Sequence, residues 1–179
     1  MKKILAFTGS NHSKSINRQV LKFALEQIDK RSFEVKEIDL RDYEPVMLSL
    51  DEQRENGIPA ETIELYELMQ GFDGYIIASP EHNGSVPAFL KNIIDWLSRN
   101  ELKFFHGKPL LLLSTSNGRN GGKTNISFLA ESYKRFDAAV SGTYSLPLFS
   151  EKFQDGKIKD EGELTLLQNA IKEFTQKFS

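Results

Sequence analysis

Glu81 and His82 stand side by side in the stretch Ser79-Pro80-Glu81-His82-Asn83-Gly84. A carboxylate beside an imidazole suits acid–base chemistry. No nucleophile accompanies them, because the chain has no cysteine and no G-x-S-x-G elbow. His12, His82 and His106 are far apart and lack metal-ligand spacing, so no metal site is expected. Pro80 holds Ser79 extended, Gly84 allows a turn or a close backbone approach, and Ser85 is placed to cap a following helix. The stretch therefore reads as a loop that presents backbone groups, with no catalytic side chain assigned.

Two other loops carry polar clusters. The first, Gly9 to Asn17, reads GSNHSKSIN, with hydroxyls at Ser10, Ser13 and Ser15 and amides at Asn11 and Asn17. A helix start offers free N–H groups and the positive end of the helix dipole, which favour an anion. One such residue would suffice as a helix cap, and this loop has five, so phosphate binding is expected. With the Pro80 to Ser85 stretch as the second loop, the third, Thr115 to Thr124, contains NGRNGGKT, one residue short of a Walker A motif because Asn117 replaces its first glycine. No aspartate ends a later apolar strand to hold magnesium, so nucleotide hydrolysis is not expected. The loop reads as flexible glycine chain, or as backbone that approaches a flat ligand closely.

The elements around these loops alternate. Lys3 to Thr8 is a short apolar run ended by Gly9 and predicts a buried strand. Ile16, Val20, Ala24 and Ile28 follow at helical spacing. Phe33 to Ile38 alternates with charged neighbours and predicts a strand nearer an edge. A loop of about 20 residues then carries Pro45 and Gly57-Ile58-Pro59 as breakers. Leu65, Leu68 and Met69 mark a second helix, Gly74 to Ser79 a third strand, and Val86, Leu90, Ile93, Ile94 and Leu97 a third helix with Pro87 in its first turn. Leu110 to Ser114 predicts a central strand covered on both faces. A fourth helix (Ile126, Leu129, Tyr133), a fifth strand (Ala138 to Leu146) and a final helix (Leu164 to Phe178) complete the order. Asp160 to Glu163 resembles a capping box before that helix.

Five strands alternating with five helices imply a mainly parallel sheet with helices on both faces, in one domain spanning residues 1–179. Ligands of such sheets bind at the carboxyl ends of the strands, where strand order reverses. If the first loop holds a phosphate, the stretch at Pro80 lies across that switch point and holds a flat ring. That is the flavin mononucleotide (FMN) geometry of a flavodoxin-like fold.

Composition is consistent with this. The chain has 179 residues, 39% hydrophobic and 27% charged, with a net charge of −2. A nearly neutral chain argues against nucleic acid as a partner, and also against an electron carrier, which is typically strongly acidic for docking on basic partners. The run Ile4 to Phe7 is too short for a signal peptide, and no run approaches the length of a membrane span. A cytoplasmic protein with no membrane partner is expected.

Gly9-Ser10 followed by Ser15-Ile16-Asn17 resembles the G-S-x-R-x-x-S-x-N phosphate loop of the NADPH-dependent FMN reductases. Ser79 to Pro87, then Leu90-Lys91-Asn92 and Asp95-Trp96, resembles that family's P-E-Y-N-G-S-x-P…L-K-N…D-W segment. Gly107-Lys108-Pro109 and Gly121-Gly122 are also similar. The resemblance spans about residues 3 to 145. It implies a flavodoxin-like three-layer sandwich, a five-stranded parallel sheet in the order 2-1-3-4-5, non-covalent FMN, NAD(P)H as co-substrate, and a homodimer or homotetramer. The implied acceptors are small molecules: quinones, azo compounds, free flavin or metal oxyanions. By position, Ser10, His12, Ser15, Ile16 and Asn17 would hold the phosphate, Pro80, Glu81, His82, Asn83 and Gly84 would face the ring, and Ser116 and Gly118 would close the other side.

Two positions depart from the family pattern. His12 stands where arginine is usual, which makes the charge beside a phosphate depend on pH and predicts weaker FMN binding as pH rises. His82 stands where tyrosine is usual, which puts the contact beside the ring and the substrate preference in question. Arg119 and Lys123 read either as contacts to dinucleotide phosphates or as solvated charges. Phe104-Phe105 and the Pro45 to Pro59 loop are expected to shape the space above the ring. Trp96 reads as core packing or as part of an oligomer interface.

Overall fold

The computed structural model describes residues 1–178. Five strands form one parallel sheet: β1 (Lys2–Thr8), β2 (Phe33–Glu37), β3 (Gly74–Ala78), β4 (Pro109–Thr115) and β5 (Ala139–Leu146). Their order is β2-β1-β3-β4-β5, as the resemblance implies. Registers Thr8↔Ala78 and Ala78↔Leu113 set the carboxyl ends of β1 and β3 level with each other, and β4 runs two residues beyond them to Thr115.

Alternation along the strands assigns the two faces. Ile4, Ala6, Ile76, Ala78, Leu111 and Leu113 pack against helices α1 (Ile16–Glu26) and α7 (Glu161–Thr175). Leu5, Phe7, Tyr75, Ile77, Leu110 and Leu112 pack against α3 (Ala60–Gln70), α4 (Ala88–Asn100) and α5 (Lys123–Ser132). Both faces of β3 and β4 are therefore covered, which is why these strands read as unbroken apolar runs.

Four details differ from the expectation. The long loop after β2 is not bare: it carries a 3-10 turn at Leu40–Tyr43 and a helix, α2 (Leu50–Asn56). Ser85 does not cap α4; Pro87 is its N-cap residue and makes no side-chain cap bond. Ser85 instead exchanges two backbone bonds with His82. Between β5 and α7 lie a one-turn helix, α6 (Phe149–Lys152), and a small hairpin, β6 (Phe153–Gln154) with β7 (Lys157–Ile158). Finally, only half of the capping box at α7 forms. Asp160 accepts from the Glu163 N–H at 2.9 Å, while the Glu163 carboxylate turns to Lys152 Nζ and the Tyr144 hydroxyl.

Candidate functional site

Gly9 is where the first loop leaves β1. Its N–H donates to the Ala78 carbonyl at 2.8 Å, which ties the ends of β1 and β3 together. A Cβ at this position would lie 2.5 Å from a Leu90 methyl, so glycine here lets α4 approach the sheet. From Asn11 to Lys14 the loop is open to solvent. Ser10 Oγ accepts from the His12 N–H at 3.3 Å, and His12 Nδ1 accepts from the Lys14 N–H at 3.2 Å. In this arrangement Nε2 is the donor that the His12 ring offers.

At the start of α1, Ser15 Oγ caps the helix by accepting from the Arg18 N–H. The N–H groups of Ser10, Asn11, Ser13, Ile16 and Asn17 have no acceptor among the described residues. Those of Ile16 and Asn17 are the unpaired donors that every helix start leaves. The loop is thus a concentration of unmatched donors at a positive helix end, the physical requirement for an anion site. The side chain of Asn17 is not among them. It is buried, and its amide bonds both ways to the backbone of Thr115, donating to the carbonyl at 3.1 Å and accepting from the N–H at 2.9 Å. Arg18 is also committed, bridging Glu37 at 2.7 Å and Asp39 at 3.0 Å. The Arg41 guanidinium, aided by Arg18, holds the Asp39 carboxyl well below the usual carboxylate range.

The second loop follows β3. His82 and Ser85 pair through their backbones at 2.9 and 3.0 Å, around Asn83 and Gly84 with φ of 51° and 76°. Positive φ at both central residues defines a type I′ turn, for which Asn-Gly is the preferred pair. A Cβ on Gly84 would meet nothing, so glycine is needed there for conformation. The side chains of His82 and Asn83 are exposed, and the N–H groups of Glu81, Asn83 and Gly84 have no acceptor among the described residues.

Glu81 faces the other way. Its carboxylate accepts the Asn125 N–H at 3.0 Å, in the first turn of α5, whose own N-cap, Gly122, has no side chain to offer. The second loop therefore caps the helix that follows the third. Asn125 returns the contact: its amide donates to Ser79 Oγ and to the Pro80 carbonyl, both at 2.8 Å. Asn125 Oδ1 and Ser114 Oγ, both buried beneath this junction, have no hydrogen-bond partner. Pro80 and Glu81 are thus fixed from below, while His82 to Gly84 project.

The third loop is ordered by the segment after β5. Gly118 accepts from the Leu148 N–H at 3.1 Å, and Asn117 Oδ1 accepts from the Ser150 N–H and hydroxyl. Ser116 Oγ accepts from the Gly118 N–H at 3.2 Å. Gly121 and Gly122 have φ of 61° and 87°. A Cβ at Gly122 would stand 2.0 Å from Ser114 Oγ. Gly121 and Gly122 serve close packing and backbone conformation. Arg119 and Lys123 are exposed.

All three predicted loops converge at the carboxyl ends of β1, β3 and β4. One expectation outside them fails, and Trp96 takes the core-packing alternative. Phe104 and Phe105 are buried against Phe136 and Tyr133, beside the start of β4 at the opposite end of the sheet, so they shape no space above a ring. Trp96 is fully buried, and its Nε1 donates to the Val46 carbonyl at 2.8 Å. With Asn92, which bonds Pro45, Val46 and Leu48, it pins the loop after β2 onto α4. Among the described residues no carboxylate–histidine cluster could hold a metal ion, and no helix is long and apolar enough to cross a membrane.

A donor-rich loop at the β1/β3 switch point of a flavodoxin-like sheet stands where such sheets hold flavin mononucleotide. The profile of the family described as NADPH-dependent FMN reductase matches residues 2–152, and the chain belongs to that family. It is an oxidoreductase with FMN as its cofactor and NAD(P)H as co-substrate. It is 33% identical over 175 residues to the quinone reductase of Escherichia coli (strain K12), covering 96% of this chain and 92% of that one. It is 29% identical over 192 residues to an NAD(P)H-dependent FMN reductase of Schizosaccharomyces pombe, covering 98% and 90%. In fold it is similar to FerB, a flavoenzyme NAD(P)H:(acceptor) oxidoreductase from Paracoccus denitrificans, with a TM-score of 0.78, 22% identity, and 98% and 96% of the two chains covered.

Proposed function

We propose that this protein passes reducing equivalents from NAD(P)H through FMN to a small acceptor, with a quinone as the first candidate. One observation carries the reading: backbone donors of the first and second loops stand unmatched on adjoining strand ends, with no side-chain nucleophile or acid–base pair built beside them among the described residues. Such a site suits a group that brings its own chemistry. The 33% identity to a quinone reductase over nearly the whole chain supports the acceptor class.

The residues present fit FMN. In this reading the N–H groups of Ile16 and Asn17, with Ser10, His12 and Ser15, hold the phosphate. Pro80 to Gly84 line one side of the ring, and Ser116 and Gly118 the other. When bound, FMN supplies the hydride-carrying chemistry. The free N–H groups of Glu81, Asn83 and Gly84 offer stabilisation to negative charge on the ring edge. Glu81 acts as a fixed strut beneath the loop, because its carboxylate is occupied by α5.

The reading extends to a cytoplasmic homodimer or homotetramer. A groove of about 540 Å³ between α4 and α5 includes Leu102 and Phe128, both about half exposed, and a second copy is the covering it suits.

The test is spectroscopic. Purified protein titrated with FMN should bind it, turn yellow, bleach on anaerobic addition of NADPH, and recolour when a quinone is added. A protein that ignores FMN overturns the reading. One that binds FMN but is not bleached is a carrier.

A further inference from the structure

The chain holds four Asn-Gly pairs: Asn56-Gly57, Asn83-Gly84, Asn117-Gly118 and Asn120-Gly121. Asn-Gly is the dipeptide most open to spontaneous deamidation, because glycine leaves its backbone nitrogen unhindered. The Gly nitrogen attacks the Asn Cγ, the N–H proton is lost, and Nδ2 leaves as ammonia. The resulting five-membered imide takes up water at either carbonyl and opens to aspartate or isoaspartate. The reaction needs a free Gly N–H and a free Asn amide.

Hydrogen bonding separates the four pairs. The Gly57 N–H donates to Gln53 O at 3.1 Å and the Asn56 amide to Glu52 at 2.9 Å. The Gly118 N–H donates to Ser116 Oγ at 3.2 Å, and Asn117 Oδ1 accepts two bonds from Ser150. The Gly121 N–H donates to Gly118 O at 3.2 Å and the Asn120 amide to Thr124 Oγ1 at 2.9 Å. Neither the Gly84 N–H nor the Asn83 side chain has a partner among the described residues, and both residues are exposed. The type I′ turn favours this sequence and leaves the attacking nitrogen bare.

We infer that Asn83 is a deamidation site that ages this protein, and that its modification weakens flavin binding. The second half rests on the proposed function: a new carboxylate, or an isoaspartate that lengthens the backbone, would stand in the loop assigned to the ring. The first half does not depend on it.

The experiment incubates the flavin-free protein at mildly alkaline pH. It then digests the protein at acid pH and follows all four Asn-Gly peptides by mass spectrometry, with aspartate and isoaspartate separated by chromatography. The Asn83 peptide should convert first. Each other site should lag by about fivefold or more, the population cost of opening one hydrogen bond. Conversion at Asn56, Asn117 or Asn120 as fast as at Asn83, or none at Asn83, overturns the site. Asn83→Gln should abolish the change in its own peptide and leave the other three rates unchanged; persistence of the change also overturns it. Aged wild-type protein should bind FMN several-fold more weakly than fresh protein, whereas aged Asn83→Gln should bind as its fresh form does. If Asn83 converts and FMN affinity does not move, the consequence fails, and the ring-facing assignment of this loop fails with it.

Discussion

The side-chain amide of Asn17 and the backbone of Thr115 form a closed pair of hydrogen bonds, 3.1 and 2.9 Å, between residues 98 apart in the chain. The pair fastens the start of α1 to the end of β4, beneath the first and third loops. It is inaccessible to solvent, so removing the amide strands both a donor and an acceptor on the strand. Asn17→Ala should cost about 2–4 kcal/mol, the scale of leaving buried polar groups unpaired. Urea unfolding should show a lower midpoint at an unchanged slope. FMN affinity should fall as well, because the N–H groups of the first α1 turn lose their anchor.

Glu81 gives a prediction that separates strut from catalyst. Its carboxylate receives the Asn125 N–H at 3.0 Å in the first turn of α5. Glu81→Gln keeps an acceptor and loses only the charge–dipole attraction, about 0.3–1 kcal/mol. Glu81→Ala also leaves the N–H unpaired and should cost about 1–3 kcal/mol. In steady-state assays with NADPH and a quinone, Glu81→Gln should keep kcat within a few-fold of wild type. A loss of 100-fold or more, the scale of removing a general acid or base, would assign Glu81 a proton-transfer role instead.

How much of this was readable beforehand differs by element. The strands and the three loops were legible because buried strands read as apolar runs and the first two loops open on Gly9 and on Ser79-Pro80, whereas strand order came from the family resemblance. α2 was not, because none of its residues is buried and so no apolar stripe marks it. A local signal was present nonetheless: Ser49 followed by Glu52 is a capping-box spacing, and Ser49 Oγ accepts the Glu52 N–H at 3.0 Å. Asn83-Gly84 likewise marked a type I′ turn, whereas reading Ser85 as a helix cap treated it in isolation. Phe104-Phe105 could be placed near a ligand only because hydrophobicity says that a residue is buried, not at which end of the sheet. The long-range partners of Asn17, Asn92, Trp96 and Asn125 had no local signature, since each side chain bonds a backbone set by the fold rather than by sequence neighbours.

Acid sensitivity should pass in part through Asp39. Its carboxyl lies below the usual range, first through the Arg41 side-chain hydrogen bond and then through further contacts with Arg41 and Arg18. A depressed folded-state pKa means that the unfolded chain binds more protons in this window. The stabilisation is therefore complete above the unfolded carboxylate value, about 3.9, and is lost as pH falls through the folded value. Both partners are partly exposed, so its size should not exceed about 1 kcal/mol at neutral pH. Asp39→Asn should be less stable than wild type at neutral pH and converge with it in strong acid. Parallel urea melts at neutral pH and in strong acid, below the folded value, check this; a constant difference at both would assign the effect to packing.

Gly122 sits in the almost-Walker loop, and the structure gives it a packing reason. Its φ is 87°, and a Cβ would stand 2.0 Å from Ser114 Oγ and 3.0 Å from Ser114 Cβ. Two penalties should therefore appear in Gly122→Ala: left-handed strain of about 1–2 kcal/mol, and a clash with a buried side chain. Ser114→Ala removes the nearer obstacle and the unpartnered hydroxyl, so alone it should cost little. In the double variant the strain remains while the hydroxyl clash is gone. A double-mutant cycle should give a coupling of about 1–2 kcal/mol that makes the pair less unstable than the sum of its parts. Additivity would mean that the loop relaxes away from β4. In that case the Glu81–Asn125 strut, whose helix starts at Gly122, should loosen with it, and protection of the Asn125 amide from hydrogen exchange should fall in Gly122→Ala.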